Sequence, residues 1–459
     1  MYILGYCILA FLLLMLEVLR KKESKIDFLS IFNINFLLFY LLPCVLWVTI
    51  PQAYAANLPY ELSYNAASTP EVFFAIFIAY FGFVLPYIIF FNVKPRLYVA
   101  ATLIVHHRAA YRRGMMIMLS FACLVVLAVV VLGGLESYFQ ASLEARHNHS
   151  GFGVIGYFRY FYSAFPAILI FVLAILTHRK LFEVGLIDFI ALVAVSVIGL
   201  MALIVNGGRG ELVGVMVSSL LFLYMTEKLR FSIKSMFWLL LLFYLSLFIV
   251  FNLHSVSSSL IRGEGVDILS RIIEFNDNIL LALLKVFQYS AHTLFIIVEI
   301  FHKPEVYNYP RLWSDNISAF LMLIPGGDVV DMGFYELPDD ISKEVMGKEN
   351  GSIPPGWIGW SLLNGGYLLL FFKAGYSAFF TVLLDKSKKF MLRSSGYALG
   401  SYIYFISMLV MFELFFAPNS SNMIRGGVGL YVFFLLVLVV PSFRVARITL
   451  LKAPASRGL

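Results

Sequence analysis

The sequence predicts an all-α polytopic membrane protein with about eleven transmembrane helices. Hydrophobic residues make up 61% of the 459 residues, and charged residues make up only 13%. The mean hydropathy is +0.87, well above the range of soluble globular proteins. Apolar runs of about 20 residues, the length that a helix needs to cross a hydrocarbon core of about 30 Å, recur along most of the chain. The composition therefore excludes a soluble domain of ordinary size.

Each predicted span is one of these apolar runs, and together they divide the chain into three parts. The spans fall at residues 2–19, 28–50, 71–91, 115–133, 154–176, 185–205, 211–225, 236–253, 357–382, 396–416 and 428–443. Residues 1–253 carry transmembrane helices 1–8, residues 254–356 form a large loop, and residues 357–459 carry helices 9–11 and a cytoplasmic tail. The first run lacks a basic leading region and a small-residue cleavage site, so we expect a retained helix rather than a signal peptide.

The distribution of Lys and Arg predicts which side of the membrane each connection faces. Short connections rich in these residues are retained on the cytoplasmic side. An N-terminus on the outer side places most of the 34 Lys and Arg residues in cytoplasmic connections, at 20–25, 94–113, 179–180, 228–234, 386–393 and 444–457. The large loop then lies on the outer side.

The large loop is predicted to be a folded cap that forms most of a functional site. Long insertions of this kind are usually functional or disordered, and this one is too rich in Trp, Tyr, Leu and Ile for a disordered segment. Within the loop, a polar residue occurs at every seventh position, and this spacing would align the five residues as a stripe along one face of a helix. They are Arg271, Asn278, Lys285, His292 and Glu299. We therefore expect amphipathic or re-entrant helices in the loop, with the polar stripe facing a cavity.

Residues 278–301 of the loop are apolar enough to suggest a twelfth span. A crossing there would place the basic connection 386–393 on the outer side, against the usual distribution of positive charge. We therefore expect this helix to lie at or dip into the outer interface, with its apolar side on lipid or on the other helices. The shorter apolar piece 317–324 is a candidate for a second dipping element.

The strongest local signal is the connection 206–211 between two predicted spans, which reads NGGRGE. Placing an arginine at the centre of a bilayer costs about 2.5–3.5 kcal/mol, and less near the interface. The presence of Arg209 between two membrane spans therefore favours a functional role for it. Glycines on both sides of Arg209 let the backbone approach a ligand closely, and the positive end of the following helix dipole adds to the charge. The arrangement suits a phosphate group. The alternative is an ordinary glycine turn with an Arg209–Glu211 pair.

Further charged residues on the outer side are candidates for binding and catalysis. Arg425 lies in a similar connection between two spans, with two glycines directly after it, and the planar fork of arginine matches the oxygens of a diphosphate. His292 and Glu211 are candidate bases; an ordinary histidine pKa of about 6.5 allows proton transfer from a hydroxyl at neutral pH. The remaining candidates for substrate binding are Arg262, Arg311, Arg271, Arg159 and Asp315. The alternative for each is a solvated loop residue, a lipid-headgroup contact or a structural histidine.

Motifs for metals, nucleotides and disulfides are missing from the sequence. It contains no CxxC, HExxH or Walker-type lysine motif, and its three cysteines lie within apolar spans. These observations argue against a zinc site, an ATPase motor and a disulfide framework. We expect no metal and no cofactor.

Two short motifs and the layout of the chain resemble a known family. The motifs are the glycine–arginine turn around Arg209 and the segment 353–367, which reads IPPGWIGWSLLNGGY. With about eleven spans and one large outer loop late in the chain, they resemble the Wzy-type O-antigen or oligosaccharide repeat-unit polymerases. Members of that family often carry a carboxylate in the segment that enters the span after the loop. This sequence has Gly359 and Trp360 there, so that residue's role does not carry over.

The resemblance implies a GT-C-like glycosyltransferase of lipopolysaccharide biosynthesis in the bacterial inner membrane, with its active site facing the periplasm. Such an enzyme moves a growing glycan from its undecaprenyl diphosphate carrier onto the next lipid-linked repeat unit, without a nucleotide sugar. The implied partners are undecaprenyl-diphosphate-linked glycans and the lipid bilayer, with a flippase and a chain-length regulator as further protein partners, and no nucleic acid. Two alternatives stay open: an O-antigen ligase with a lipid A-core acceptor, and a lipid-linked oligosaccharide flippase or other transporter.

Overall fold

The computed structural model describes a large part of the chain. The described residues are 2–20, 26–52, 65–92, 107–134, 137, 165–178, 182–205, 209–228, 244, 248, 252, 273, 275–276, 291, 293–302 and 356–416. For residues 107–111, 202–205, 209–213, 390 and 393–396 the description covers the backbone only.

The described chain is almost entirely helical, with no β-strand in these ranges. The helices are α1 (Tyr2–Leu19), α2 (Phe28–Thr49), α3 (Pro70–Asn92), α4 (His107–Val131), α5 (Phe165–Thr177), α6 (Leu186–Val205), α7 (Arg209–Met225), α8 (Thr293–His302), α9 (Gly356–Lys389) and α10 (Tyr397–Phe416). Six described helices are long and apolar enough to cross a membrane, namely α1, α2, α3, most of α4, α9 and α10. The protein is therefore an all-α polytopic membrane protein, as the sequence predicts.

The described helices coincide with most of the predicted spans. α1, α2, α3 and α6 match their predicted ranges within one or two residues, whereas α4 begins earlier than predicted, at His107. α5 is described from Phe165 onward, within the predicted span 154–176. Most of span 236–253, all of span 428–443 and most of the large loop lie outside the described residues. The total of eleven spans and the three-part division of the chain stay predictions.

α2 changes helical type near its middle. Residues Leu37–Leu41 form a π-turn, in which the N–H of Leu42 donates to the carbonyl of Leu37, five positions back. Pro43 follows directly and has no N–H to donate to the carbonyl four positions back, at Phe39. One widened turn accommodates this missing hydrogen bond. α2 therefore continues past the proline as a single apolar span.

α9 and α10 belong to one helical run that doubles back on itself. A straight helix of its 61 residues would be about 90 Å long. Instead, the hydroxyl of Tyr404 donates to Asp385, which lies 19 residues earlier. A Cβ added at Gly400 would stand 2.6 Å from the carbonyl oxygen of Met391, so only glycine fits where the chain turns. α9 and α10 therefore form an antiparallel hairpin, in agreement with two separate predicted spans.

Small residues bring α3 and α9 into close contact. Ala75 and Ala79 are four residues apart in α3, Ala374 and Ala378 are four residues apart in α9, and all four are fully buried. Small residues at this spacing let membrane helices approach closely. A Cβ added at Gly82 of α3 would stand 3.2 Å from the Cβ of Ala374, so a larger residue at Gly82 would require the two helices to shift slightly apart.

The α9–α10 hairpin lies between two groups of helices. On one side, α1 and α2 pack with α3, and the hydroxyl of Tyr6 donates to the carbonyl of Ala67 at 2.9 Å. On the other side, α5 contacts α10, where the hydroxyl of Tyr402 donates to the carbonyl of Ala167 at 3.1 Å. α4, α6 and α7 continue this second group. We call the two ends of the bundle the Asp385 side and the Gly356 side.

α8 is enclosed by protein. Residues 294–299 are six consecutive buried positions, and Glu299 of the predicted polar stripe is only 4% exposed. The ring of Phe301 stacks on Tyr367 of α9, with 5.3 Å between ring centroids. A helix at the membrane interface would leave one face to lipid. The apolar side of this segment therefore packs on the other helices rather than on lipid.

The predicted orientation places the Asp385 side in the cytoplasm and can be tested by cysteine labelling. Lys389 is exposed at the end of α9, and Ser342 belongs to the predicted outer loop. Because Cys7 and Cys123 are exposed, they are first replaced with alanine. In spheroplasts, a membrane-impermeant maleimide should label Ser342→Cys directly but Lys389→Cys only after permeabilisation. Direct labelling of Lys389→Cys would overturn the orientation.

Candidate functional site

Two of the sequence-predicted site residues lie at the start of α7. Arg209 is the first residue of this helix, and Glu211 follows two positions later. α6 ends at Val205, so only a short connection joins the two helices. The unsatisfied N–H groups at the start of α7 carry a partial positive charge next to Arg209. The side chains of Arg209 and Glu211 lie outside the described residues.

The other sequence-predicted site residues lie outside the described residues. They are His292, Arg425, Arg262, Arg311, Arg271, Arg159 and Asp315. Their convergence on one site stays a prediction.

α9 is broken close to the Gly356 side. Gly366 has a φ of 62°, in the left-handed region that favours glycine. The ammonium of Lys373 lies 4.2 Å from the ring centroid of Trp360, although a straight helix would separate their Cα atoms by about 20 Å. The chain therefore bends sharply between these two residues. We call residues 364–367 the α9 break.

The segment before the break is surrounded by protein. Residues 356–363 are all buried, including Trp357 and Trp360. A Cβ added at Gly356 would stand 2.6 Å from the Cγ2 of Thr293, so this segment begins in direct contact with α8. The sequence predicts a span at residues 357–382. In the structure this span begins as a short enclosed segment, which meets the more exposed part of α9 after the break.

Two acceptor oxygens near the break are buried and have no hydrogen-bond partner among the described residues. One is the Oδ1 of Asn364, whose Nδ2 donates to the carbonyl of Trp360 at 2.9 Å. The other is the Oε2 of Glu71, at the start of α3. Tyr367 brings the two helices together, because its hydroxyl donates to the carbonyl of Glu71 at 3.3 Å. A buried polar atom left without a partner costs about 1–3 kcal/mol, so two of them near one break make it a candidate ligand site.

A different polar cluster holds four helices together at the Asp385 side. Asp385 of α9 is 4% exposed and accepts hydrogen bonds from the hydroxyls of Tyr87 in α3 and Tyr404 in α10. Both of its oxygens also accept from the first N–H of α2, at Phe28, over 3.2 Å. The sequence analysis missed this residue. Asp385 lies between the predicted span 357–382 and the basic connection 386–393, so no local signal distinguished it from an ordinary charged residue of a connection.

Arg20 lies next to this cluster and is paired. Its guanidinium contacts Glu17 at 3.0 Å and also Asp27, which caps the start of α2. Burial alone would lower the pKa of Arg20, but hydrogen bonds and charges from Asp27 and then Glu17 raise it above its ordinary value. Arg20 therefore stays charged, and its contacts join α1 to the start of α2.

The two polar regions differ in what they can do chemically. The contacts of Asp385 go to side chains and backbone of neighbouring helices, which indicates a structural role. The α9 break offers acceptors to a ligand that brings donors.

Within the described ranges, no three His, Cys, Asp or Glu side chains are grouped so that they could hold a metal ion. No family model matches the chain, and neither a curated protein nor a solved structure matches it.

Proposed function

We propose that the protein polymerises lipid-linked oligosaccharide repeat units at the periplasmic face of the bacterial inner membrane. In this reaction the bond between the anomeric carbon of the growing glycan and the undecaprenyl diphosphate oxygen breaks. A glycosidic bond forms to a hydroxyl oxygen of the next lipid-linked unit, and a base takes the proton of that hydroxyl. The diphosphate leaves as an anion with its lipid.

The observation that supports this function most is the position of Arg209. It opens α7 directly after a short connection between two apolar helices, where the helix dipole adds to its positive charge. A leaving diphosphate develops negative charge, and preorganised cationic donors stabilise such charge in the transition state. In the proposal, Arg209 and Arg425 bind the diphosphate.

The remaining predicted residues complete the proposed site. His292 or Glu211 takes the proton of the attacking hydroxyl. The other residues bind the two lipid-linked substrates, namely Arg262, Arg311, Arg271, Arg159 and Asp315. No metal or cofactor has a step in this scheme.

The surface polysaccharide of a deletion strain tests the function. We expect single repeat units on the cell surface, and restoration of long chains when the gene is supplied again. Polymer that accumulates on its lipid carrier without attachment would instead indicate a ligase. Loss of all surface repeat units would indicate a flippase, and an unchanged gel profile would contradict all three functions.

A further inference from the structure

Among the described residues, nothing covers the α9 break at Gly366. No described atom lies within 4 Å of the position that a Cβ at Gly366 would occupy, and Gly365 is exposed. The segment immediately before the break is buried throughout. At Gly365 the side chain of Leu369 fills the corresponding position, so among the described residues it is the backbone at Gly366 that a ligand can approach without an intervening side chain.

The side-chain atoms at the break that have no hydrogen-bond partner among the described residues are acceptors. Asn364 offers its carbonyl oxygen, because its amide nitrogen is already bonded to the helix backbone. Glu71 offers a carboxylate oxygen. A matching ligand must bring hydrogen-bond donors and no negative charge next to Glu71, which argues against a diphosphate at this position.

Aromatic rings flank the same place. Tyr367 follows the two glycines and stacks on Phe301 of α8, with 19° between the ring planes. Lys373 lies over the ring of Trp360 on the other side of the break. Sugars combine hydroxyl donors with apolar C–H faces, so acceptors beside aromatic rings fit a neutral sugar better than a lipid tail or a phosphate.

We propose that the α9 break, together with Glu71, is the subsite that binds a neutral sugar of the glycan substrate through its hydroxyl groups. This inference rests on the proposed function for the identity of the ligand as a glycan. In this proposal, the diphosphate and the sugar ring are bound at two separate places. Arg209 binds the diphosphate, and Asn364 and Glu71 hold a sugar ring by accepting its hydroxyl protons in hydrogen bonds.

Binding of a soluble glycan by the purified protein tests the subsite. The probe is the oligosaccharide mixture that mild acid releases from the cell surface of the producing organism, titrated against protein in nanodiscs. Loss of a hydrogen bond to a neutral acceptor should weaken binding roughly 2- to 10-fold for Asn364→Ala, and loss of a charged acceptor roughly 10- to 100-fold for Glu71→Ala. Ser361→Ala is the matched control, because Ser361 also donates to the carbonyl four residues back but its oxygen is not an unpartnered acceptor. Its binding should equal that of the wild type.

The outcomes separate the subsite from the function. Equal binding by the wild type, Asn364→Ala and Glu71→Ala would overturn the subsite and leave the proposed function intact. Equal weakening by Ser361→Ala would also overturn it, because the effect would then come from the helix and not from the acceptors. Absence of binding by the folded wild type would overturn the subsite as well, and the gel profile of the deletion strain would then decide separately on the function. The elution profile and unfolding temperature of each variant show whether it is folded.

Discussion

Replacing Arg209 with alanine should abolish long polysaccharide chains while the protein still reaches the membrane. The change removes a permanent cation from the start of α7, where the proposed diphosphate would sit. Loss of one preorganised donor to a developing anion costs about 2–4 kcal/mol of transition-state stabilisation, or roughly 30- to 1,000-fold in rate. The measurement is the ladder of polymer lengths in cells that carry each variant at matched protein levels.

Two further variants make the Arg209 result specific. Arg209→Lys should recover little, because lysine keeps the charge but lacks the planar fork that makes two parallel hydrogen bonds. Arg112→Ala is the control for the loss of an exposed arginine, since Arg112 lies in the first turns of α4 at the predicted cytoplasmic side. Its ladder should match that of the wild type. A normal ladder from Arg209→Ala would remove the diphosphate role and the main residue-level support for the proposed mechanism.

Replacing Asp385 with alanine should destabilise the whole helical bundle. The change leaves the hydroxyls of Tyr87 and Tyr404 and the N–H of Phe28 without their acceptor in a buried place. Each buried donor left unpaired costs about 1–3 kcal/mol, so we expect a loss of at least about 3 kcal/mol in the free energy of unfolding. The measurement is the unfolding temperature of the purified protein in detergent, followed by size-exclusion chromatography after heating.

Asp385→Asn provides the graded comparison for this prediction. It keeps one acceptor oxygen at the same place, so part of the stability should return. Ser120→Ala is the control, because the exposed hydroxyl of Ser120 bonds only to the carbonyl of Met116 in its own helix. Unfolding of Asp385→Ala at the wild-type temperature would show that the cluster does not hold the four helices together.

Apolar run length was sufficient to predict the described membrane helices. The bounds of α1, α2 and α3 follow from it, because the hydrocarbon core requires a nearly fixed number of apolar residues. α7 begins at Arg209, two residues before the predicted span 211–225, so Arg209 and Glu211 of the predicted connection are helical. Helix bounds can be predicted from run length because run length does not depend on the partner that a helix later contacts.

Features that depend on distant partners could not be predicted in this way. Gly365 and Gly366 lie in an apolar run, and transmembrane helices tolerate glycine, so nothing local distinguished a bend from an ordinary span. Asp385 finds its partners in three other helices, and no spacing along the sequence encodes those contacts. The predicted site residues of the cap, His292 among them, lie outside the described residues. For these, the sequence pattern and the family resemblance remain the basis of the proposal.

The hydrogen bond between Phe28 and Asp385 also has a consequence for biosynthesis. Its two residues are 357 positions apart in the chain. At translation rates of about 5–20 residues per second, Asp385 leaves the ribosome on the order of 20–70 s after Phe28. Over that time the nascent α1–α3 group lacks both the acceptor for the first N–H of α2 and the alanine-lined face of α9. Until the α9–α10 hairpin is made, membrane-insertion proteins or lipid must therefore cover the surface of the α1–α3 group that the hairpin covers in the finished protein.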